Sequence, residues 1–593
     1  MRAWPLTLAC FLTAACAQVL GVGEYEPTAA PAGAGGAAGA GGHSGPECVT
    51  DAECAEPSEP CRMASCDAGS CVDLLVPSKF PCGEGRRCNE SGACVLVDGE
   101  SCDAASSCES GACVDERCCA TACGVCASCA EPGFEGTCRA AASGTEEPGG
   151  ACGDNRCDGL GRCATGDPKG VLTTAKSPGS DRIVSGVGTS EGAWFVGGTH
   201  GGAFGPFQGG AQDAFVARLT AKGEVKAALP LGSSGDDAVL AVAVDGKDEG
   251  YAVGFCSQGL VFPDPAATPC VGGQRNGMVF KVDLAGKVVW AKVLEATPES
   301  DSMNDVALPP GANALFVVGE AGVTGIGGSK RGRIVKLGLD GAQLWSKDFL
   351  SAQSYLTFER LTVAPDGDLI VAGILRGSAL VAGTTVLAPN YDDVLVMRLS
   401  PDVDAVRWWR VFGGGSAERI SGVALSPDGL VAVSGRFLYE MSVDKNIGFK
   451  GGDASEGYVI VLDGQTGDVR WAKPFIGNAE LLLSRVAFDA ASNLTVTGTF
   501  IGPGGGPGKL NLFGKDVDSV GAYDGFVVRT TREGAPLWRR VIGGPAQDFL
   551  LAALVDGDSV YALGSTSGGY LFGGVAVKTA DNLEDGVVYA FSP

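Results

Sequence analysis

The sequence predicts an all-β chain, a small disulfide-rich module followed by a seven-bladed β-propeller whose last blade is closed by an N-terminal strand. Three observations carry this expectation. A β-rich run ending in glycine recurs seven times, at residues 194–197, 251–254, 315–319, 369–373, 430–435, 494–498 and 560–564. The repeats, about 55–67 residues apart, contain short strands and no helical stretch, the pattern of a propeller or β-solenoid. Twenty of the 24 cysteines fall between Cys48 and Cys163, a density that marks a disulfide scaffold.

Composition sets the outer bounds. Lys and Arg number 44 against 69 Asp and Glu, and a net charge of -25 excludes a basic nucleic-acid surface. Hydrophobic residues at 45% suffice for a packed core. The 93 glycines among 593 residues exceed the usual share of roughly 7% and require many turns.

Residues 1–16 read as an export signal. Arg2 gives the positive start, residues 6–14 form an apolar run too short to span a bilayer, and Thr13, Ala14 and Ala15 are the small residues of a cleavage site. The run Leu12-Thr13-Ala14-Ala15-Cys16 resembles a bacterial lipoprotein lipobox, with Leu12 four residues ahead of the cysteine. That resemblance implies diacylation at Cys16, a lipid anchor as the sole membrane attachment, and residence at the bacterial outer membrane or cell surface; plain secretion is the alternative. Residues 17–46, dominated from Gly21 to Pro46 by Gly, Ala and Pro, cannot offset their chain entropy and are expected to form a flexible tether.

In residues 47–168 a short unit recurs: Cys66, Gly69, Cys71; Cys88, Gly92, Cys94; Cys108, Gly111, Cys113; Cys157, Gly161, Cys163. Glycine two residues before the second cysteine suits a tight turn whose flanking sulfurs face different partners. An even count in an exported chain favours up to ten disulfides, with connectivity left open. Cys118, Cys119, Cys123, Cys126 and Cys129 include Cys-x-x-Cys spacing, which keeps zinc as an alternative, although the module contains no histidine. The cysteine series also resembles Cys-rich repeats of bacterial cell-surface proteins, a likeness that carries no activity.

Residues 169–593 form the propeller. The fifth unit serves as template: strand a at 423–425, a Pro427-Asp428-Gly429 turn, strand b ending at Gly435, strand c at 458–462, a turn at 464–467, and strand d from Trp471. The last unit stops after strand c, while 171–176 is a strand without a unit, so the two ends complete one blade and few edges remain exposed. Asp213-Ala214-Phe215-Val216, Trp408 with Phe412-Gly413-Gly414, and the strand-end glycines resemble the bacterial seven-bladed β-propeller repeat of surface lipoproteins. Residues 462–471 also resemble the tryptophan-docking motif of quinoprotein propellers, with Ala227 replacing the first tryptophan, so docking around the ring is expected to be incomplete.

Few residues point to catalysis. Gly188-Thr189-Ser190-Glu191-Gly192 fits a nucleophile pattern, yet the chain holds only two histidines, His43 in the tether and His200, expected in an exposed loop. Asp402 with Asp404, Asp516 with Asp518 and Asp556 with Asp558 are fragments of calcium loops and read as solvated turns. Cys256 and Cys270 lie in one connection and are expected to form a local disulfide. Alternating strand direction gathers the d to a and b to c loops on one face, and on that face Asp181, Asp237, Asp301, Glu418 and Asp548 align in five of seven blades. They either cap their own turns or line a channel mouth that attracts a divalent cation such as calcium. The expectation is a non-enzymatic surface binding or scaffold protein with no required cofactor, taking a protein or polysaccharide ligand on that loop face. A carboxylate-based carbohydrate hydrolase or lyase is the alternative.

Overall fold

The computed structural model describes residues 47–593 apart from 131–132, 147–151, 153–154, 176–179, 191–193, 201–211, 221–224, 264–268, 272–273, 296–298, 310, 312, 324–328, 352, 354, 558, 580–582 and 593. Cys16 and the tether lie outside the described residues. The chain divides into two compact units, one running to Cys82 with Cys88–Cys94, the other comprising Gly83–Arg87 and Val95–Pro593. The division does not fall at 168, because the later part of the cysteine module belongs with the propeller.

The small unit has little apolar interior and is held covalently. Its hairpin, Arg62–Asp67 against Ser70–Leu75, is stapled by Cys48–Cys66 and Cys54–Cys71, with Cys61–Cys88 and Cys82–Cys94 beyond it. In the larger unit Cys102–Cys113, Cys108–Cys118, Cys119–Cys129, Cys123–Cys138, Cys126–Cys157 and Cys152–Cys163 follow. The two sulfurs of each Cys-x-Gly-x-Cys-like unit go to different partners, as the turn glycines require. Cys119 and Cys129 bridge each other, while Cys118, Cys123 and Cys126 pair with Cys108, Cys138 and Cys157, so each of the five is a disulfide half. Cys256 and Cys270 are bridged as well, and so many disulfides mark an exported protein.

Seven four-stranded antiparallel sheets form the propeller. Blade 5 is Arg419–Leu425, Leu430–Phe437, Glu456–Asp463 and Val469–Phe475, in the order a, b, c, d. Blade 7 takes its fourth strand from Pro168–Ala175, paired antiparallel with Asp585–Phe591. The middle strands are covered by blades on both sides, which is why Asp213–Leu219, Gly250–Cys256, Asn276–Val282 and Asp524–Thr530 are buried at every position. The b to c connections of blades 5, 6 and 7 carry small hairpins, such as Lys509–Leu512 with Lys515–Asp518, that the sequence reading left as loops.

The strand-end glycines have a steric cause. Each strand a bulges after its second, third or fourth residue, for example between Val239 and Ala241 or Ile420 and Gly422. The bulge presses a carbonyl of strand a onto strand b. A Cβ on Gly254, Gly373, Gly435 or Gly564 would fall within 1.8–2.0 Å of that oxygen, closer than any side chain tolerates. In blade 1 the residue under the carbonyl is Gly198, opposite Ile183, so the equivalence lies one position beyond Gly197.

Tryptophan docking links neighbouring blades and is more extensive than expected from one motif. Trp290, Trp408 and Trp471 stack on Gly341, Gly467 and Gly534 in the next blade's c to d turn, and their indole N–H groups donate to Leu339, Gly464 and Arg532 carbonyls at 3.0, 2.9 and 2.7 Å. Trp538 stacks on Gly166, just ahead of the closing strand. Ala227 takes the same place against Gly286 and marks the weak contact in the series.

The later cysteine module sits on the turn face at blade 6. Asn493, fully buried, donates to the Asp158 carbonyl and meets the Ser143 hydroxyl. Asp489 fixes Asn493 through its backbone N–H and side-chain amide, each at 2.8 Å, and pairs with the buried Arg529.

Candidate functional site

On the loop face, each blade is tied to the one before by a repeated backbone bond. The N–H groups of Asp181, Asp237, Asp301, Glu418, Leu481 and Asp548 donate to the carbonyls of Glu584, Gln212, Arg275, Asp392, Ser455 and Tyr523, each acceptor but Asp392 being the residue before strand c of the preceding blade, and Asp392 lying within the long strand Thr384–Leu399. The five aligned acids therefore sit between blades, spaced around the ring, with exposures of 0–2%. They do not line an open channel mouth, which corrects that expectation, and the structure brings none of the five together. Burial follows from the neighbouring strand c, whose first residue packs over the acid; no single repeat contains that information.

Three of the acids have visible work in the turns. Asp237 accepts from Ser233 N–H in its own d to a turn and from Ser257 N–H after the adjoining strand b, both at 2.7 Å. Asp548 accepts from Gly544 N–H at 2.8 Å and from the Thr566 hydroxyl at 2.5 Å. Asp301 accepts from Gly322 N–H at 2.8 Å. Burial, with Asp213 or Asp524 alongside, pushes Asp237 and Asp548 up to about 6 despite these bonds. Glu418 differs. Both of its carboxyl oxygens are buried, and burial with Asp393 alongside pushes it up to about 8 despite the Gly414 backbone N–H nearby.

The other sequence candidates separate. Ser190 is exposed, and its N–H and hydroxyl bond Asp248 at 2.9 and 2.5 Å, linking two a to b turns. His200 is not in an exposed loop: it ends strand Trp194–His200, is 1% exposed and rests against the Phe215 ring. Asp402 pairs with Lys336, and Asp518 with Lys509, as turn carboxylates do.

The channel interior is crossed by side chains of the innermost strands. Arg485 of blade 6 pairs with Asp305 of blade 3 at 3.0 Å and donates to the Leu240 carbonyl of blade 2 at 3.1 Å. Arg360 donates to the Ser421 carbonyl at 2.5 Å, and burial lowers its guanidinium to about 10. Burial likewise raises Glu359 beside it. A network holding strands of five blades together is structural bracing.

Beside the mouth, blades 5 and 6 enclose a cleft of about 760 Å³. Arg419, Arg436, Asp453, Asn478, Glu480 and Tyr523 line it, together with the Gly502–Gly505 segment. Gly504 and Gly505 have φ of 68° and 84°, a left-handed pair that lets the chain fold back over the opening. Tyr523 is held flat by Phe549, with ring centroids 4.8 Å apart. Sequence reasoning missed these residues, although Arg419 directly follows the aligned Glu418 and Arg436 the strand-end Gly435.

No family model matches this chain, and no curated protein matches it significantly. Among solved structures, a europium-containing methanol dehydrogenase is 11% identical, covering 71% of this chain and 93% of its own at a TM-score of 0.38. The polysaccharide lyase Uly1 is 9% identical, covering 70% and 91% at 0.39, and a puromycin hydrolase is 16% identical, covering 66% and 53% at 0.37. Likenesses this distant carry no functional argument; the propeller rests on its own seven sheets.

Proposed function

We propose that this is an exported, non-enzymatic binding protein that presents the loop face of its propeller to a glycan or protein ligand, held at the cell surface by a lipid on Cys16. The cleft between blades 5 and 6 carries the reading. It gathers polar side chains on the face with the long b to c excursions, where repeat folds concentrate binding. Glu418, Asp237 and Asp548, three carboxyls that burial raises, lie between blades with exposures of 0–2%, out of a substrate's reach. That arrangement favours binding over a carboxylate-based hydrolase or lyase.

A glycan and protein array probed with the full chain tests the reading. Retained ligand without chain cleavage on prolonged incubation is the expected outcome; shortening of a retained glycan would instead make the protein an enzyme. For the anchor, Cys16→Ala with export preserved should move the protein from the membrane fraction to the soluble envelope or medium, and unchanged fractionation would reject lipidation.

A further inference from the structure

Blade 5 breaks a rule of sheet construction. Arg419 at the start of strand a and Arg436 at the end of strand b are directly opposite partners in the antiparallel ladder. Opposed residues project from the same face with Cβ atoms roughly 4.5–5.5 Å apart, and like charges placed so are destabilising. The equivalent pairs elsewhere are Arg182 with Thr199, Ala238 with Phe255, Ser302 with Glu320, Thr357 with Ile374, Leu482 with Thr499 and Phe549 with Ser565. Only blade 5 opposes two cations.

Nearby acids do not neutralise the pair. Asp392 is shared, accepting from Arg376 at 2.8 Å and from Arg419 at 3.2 Å. The guanidinium of Arg436, a half-buried residue lining the cleft, has no hydrogen-bond or ion-pair partner among the described residues. A guanidinium presents a planar fork of donors suited to a planar oxyanion, and two side by side suit one better than either alone.

Resting on the binding reading above, we propose that Arg419 and Arg436 form a carboxylate subsite and that the cleft takes a uronate-bearing glycan. The rest of the cleft decides between acidic ligands. Asp453 and Glu480 in the lining would repel an acidic peptide or a densely sulfated chain, yet with Asn478 they are acceptors for sugar hydroxyls. The braced face of Tyr523 offers a stacking surface for a pyranose ring. One negative charge per ring among several hydroxyls is the chemistry of a uronic acid.

Calorimetry on the full chain with tetragalacturonate, tetramannuronate and a hyaluronan tetrasaccharide, each beside its methyl ester, tests this. At least one free acid should bind while its ester does not. Arg436→Gln, which removes no side-chain hydrogen bond or ion pair and relieves the like-charge opposition, should weaken that binding at least tenfold without lowering thermal stability, and Arg436→Lys should restore it only partly. Binding of no free acid, equal binding of acid and ester, preference for a sulfated dextran oligosaccharide, or indifference to Arg436→Gln would each overturn the proposal. If the array yields a ligand whose binding survives Arg436→Gln, the binding reading stands and the uronate subsite falls.

Discussion

Deleting residues 168–175 should abolish cooperative folding of the propeller, although the deletion removes no part of the seven glycine-marked repeats. The strand Pro168–Ala175 makes six register pairs with Asp585–Phe591. At about 1 kcal/mol net per hydrogen bond, a ladder of that length is comparable to the whole margin of about 5–15 kcal/mol by which a domain is stable. Its loss would also open Val587, Val588, Tyr589 and Phe591, all at most 1% exposed, along a free strand edge. Trp538 would lose its contact with Gly166 if the truncation reached that far. Differential scanning calorimetry should find the transition broadened or missing. A synthetic peptide of residues 165–176 added in trans should restore it, because the vacated edge is a template for strand addition. A sharp transition at the wild-type temperature without the strand would show that six blades and a three-stranded remainder are self-sufficient.

The fold was legible because its constraints are local. A carbonyl pressed onto strand b leaves room only for glycine, so the residue recurs in every blade and can be counted. Where two glycines adjoin, at Gly197 and Gly198, the count survives while the register slips by one. Features made between blades were harder to read. The glycine beneath Trp290, Trp408 or Trp471 lies in the next repeat, and that beneath Trp538 lies ahead of the first, so no tryptophan gives a hint of it alone. The five aligned acids were recognisable as a set, but their burial depends on strand c of the preceding blade. The opposition of Arg419 and Arg436 appears only once strands a and b are placed in register across a bulge. The hairpins of blades 5 to 7 and the burial of His200 escaped for a similar reason, since each depends on packing rather than on the periodicity of its own segment.

Replacing Glu418 by glutamine should flatten the dependence of stability on pH and leave the variant more stable than the wild type above neutrality. Glu418 titrates at about 8 in the folded chain against 4.5 for an ordinary glutamate. Between those values the folded state keeps a proton that the unfolded state has released. The stability tied to this site is therefore complete below pH 4.5, declines as pH rises, and is lost through pH 8. Asp237 and Asp548 act in the same direction, between 3.8 and about 6. Each pH unit with one proton of difference is worth about 1.4 kcal/mol, so Glu418 alone should cost roughly 3 kcal/mol between pH 5 and pH 7.5, or a few degrees in Tm. Asp393 and the Gly414 backbone adjoin the carboxyl, and the Tyr458 hydroxyl, bonded to the Arg419 carbonyl at 3.0 Å, senses its charge. Glutamine keeps the size and planarity of the protonated acid and cannot ionise. Melting temperatures of wild type and Glu418→Gln should therefore agree near pH 5 and diverge by pH 8.5, whereas parallel curves would mean that Glu418 is charged at neutrality. Asp393→Asn supplies an internal control. Removing the neighbouring carboxylate should lower the Glu418 pKa, so the wild-type decline should become shallower and end at a lower pH.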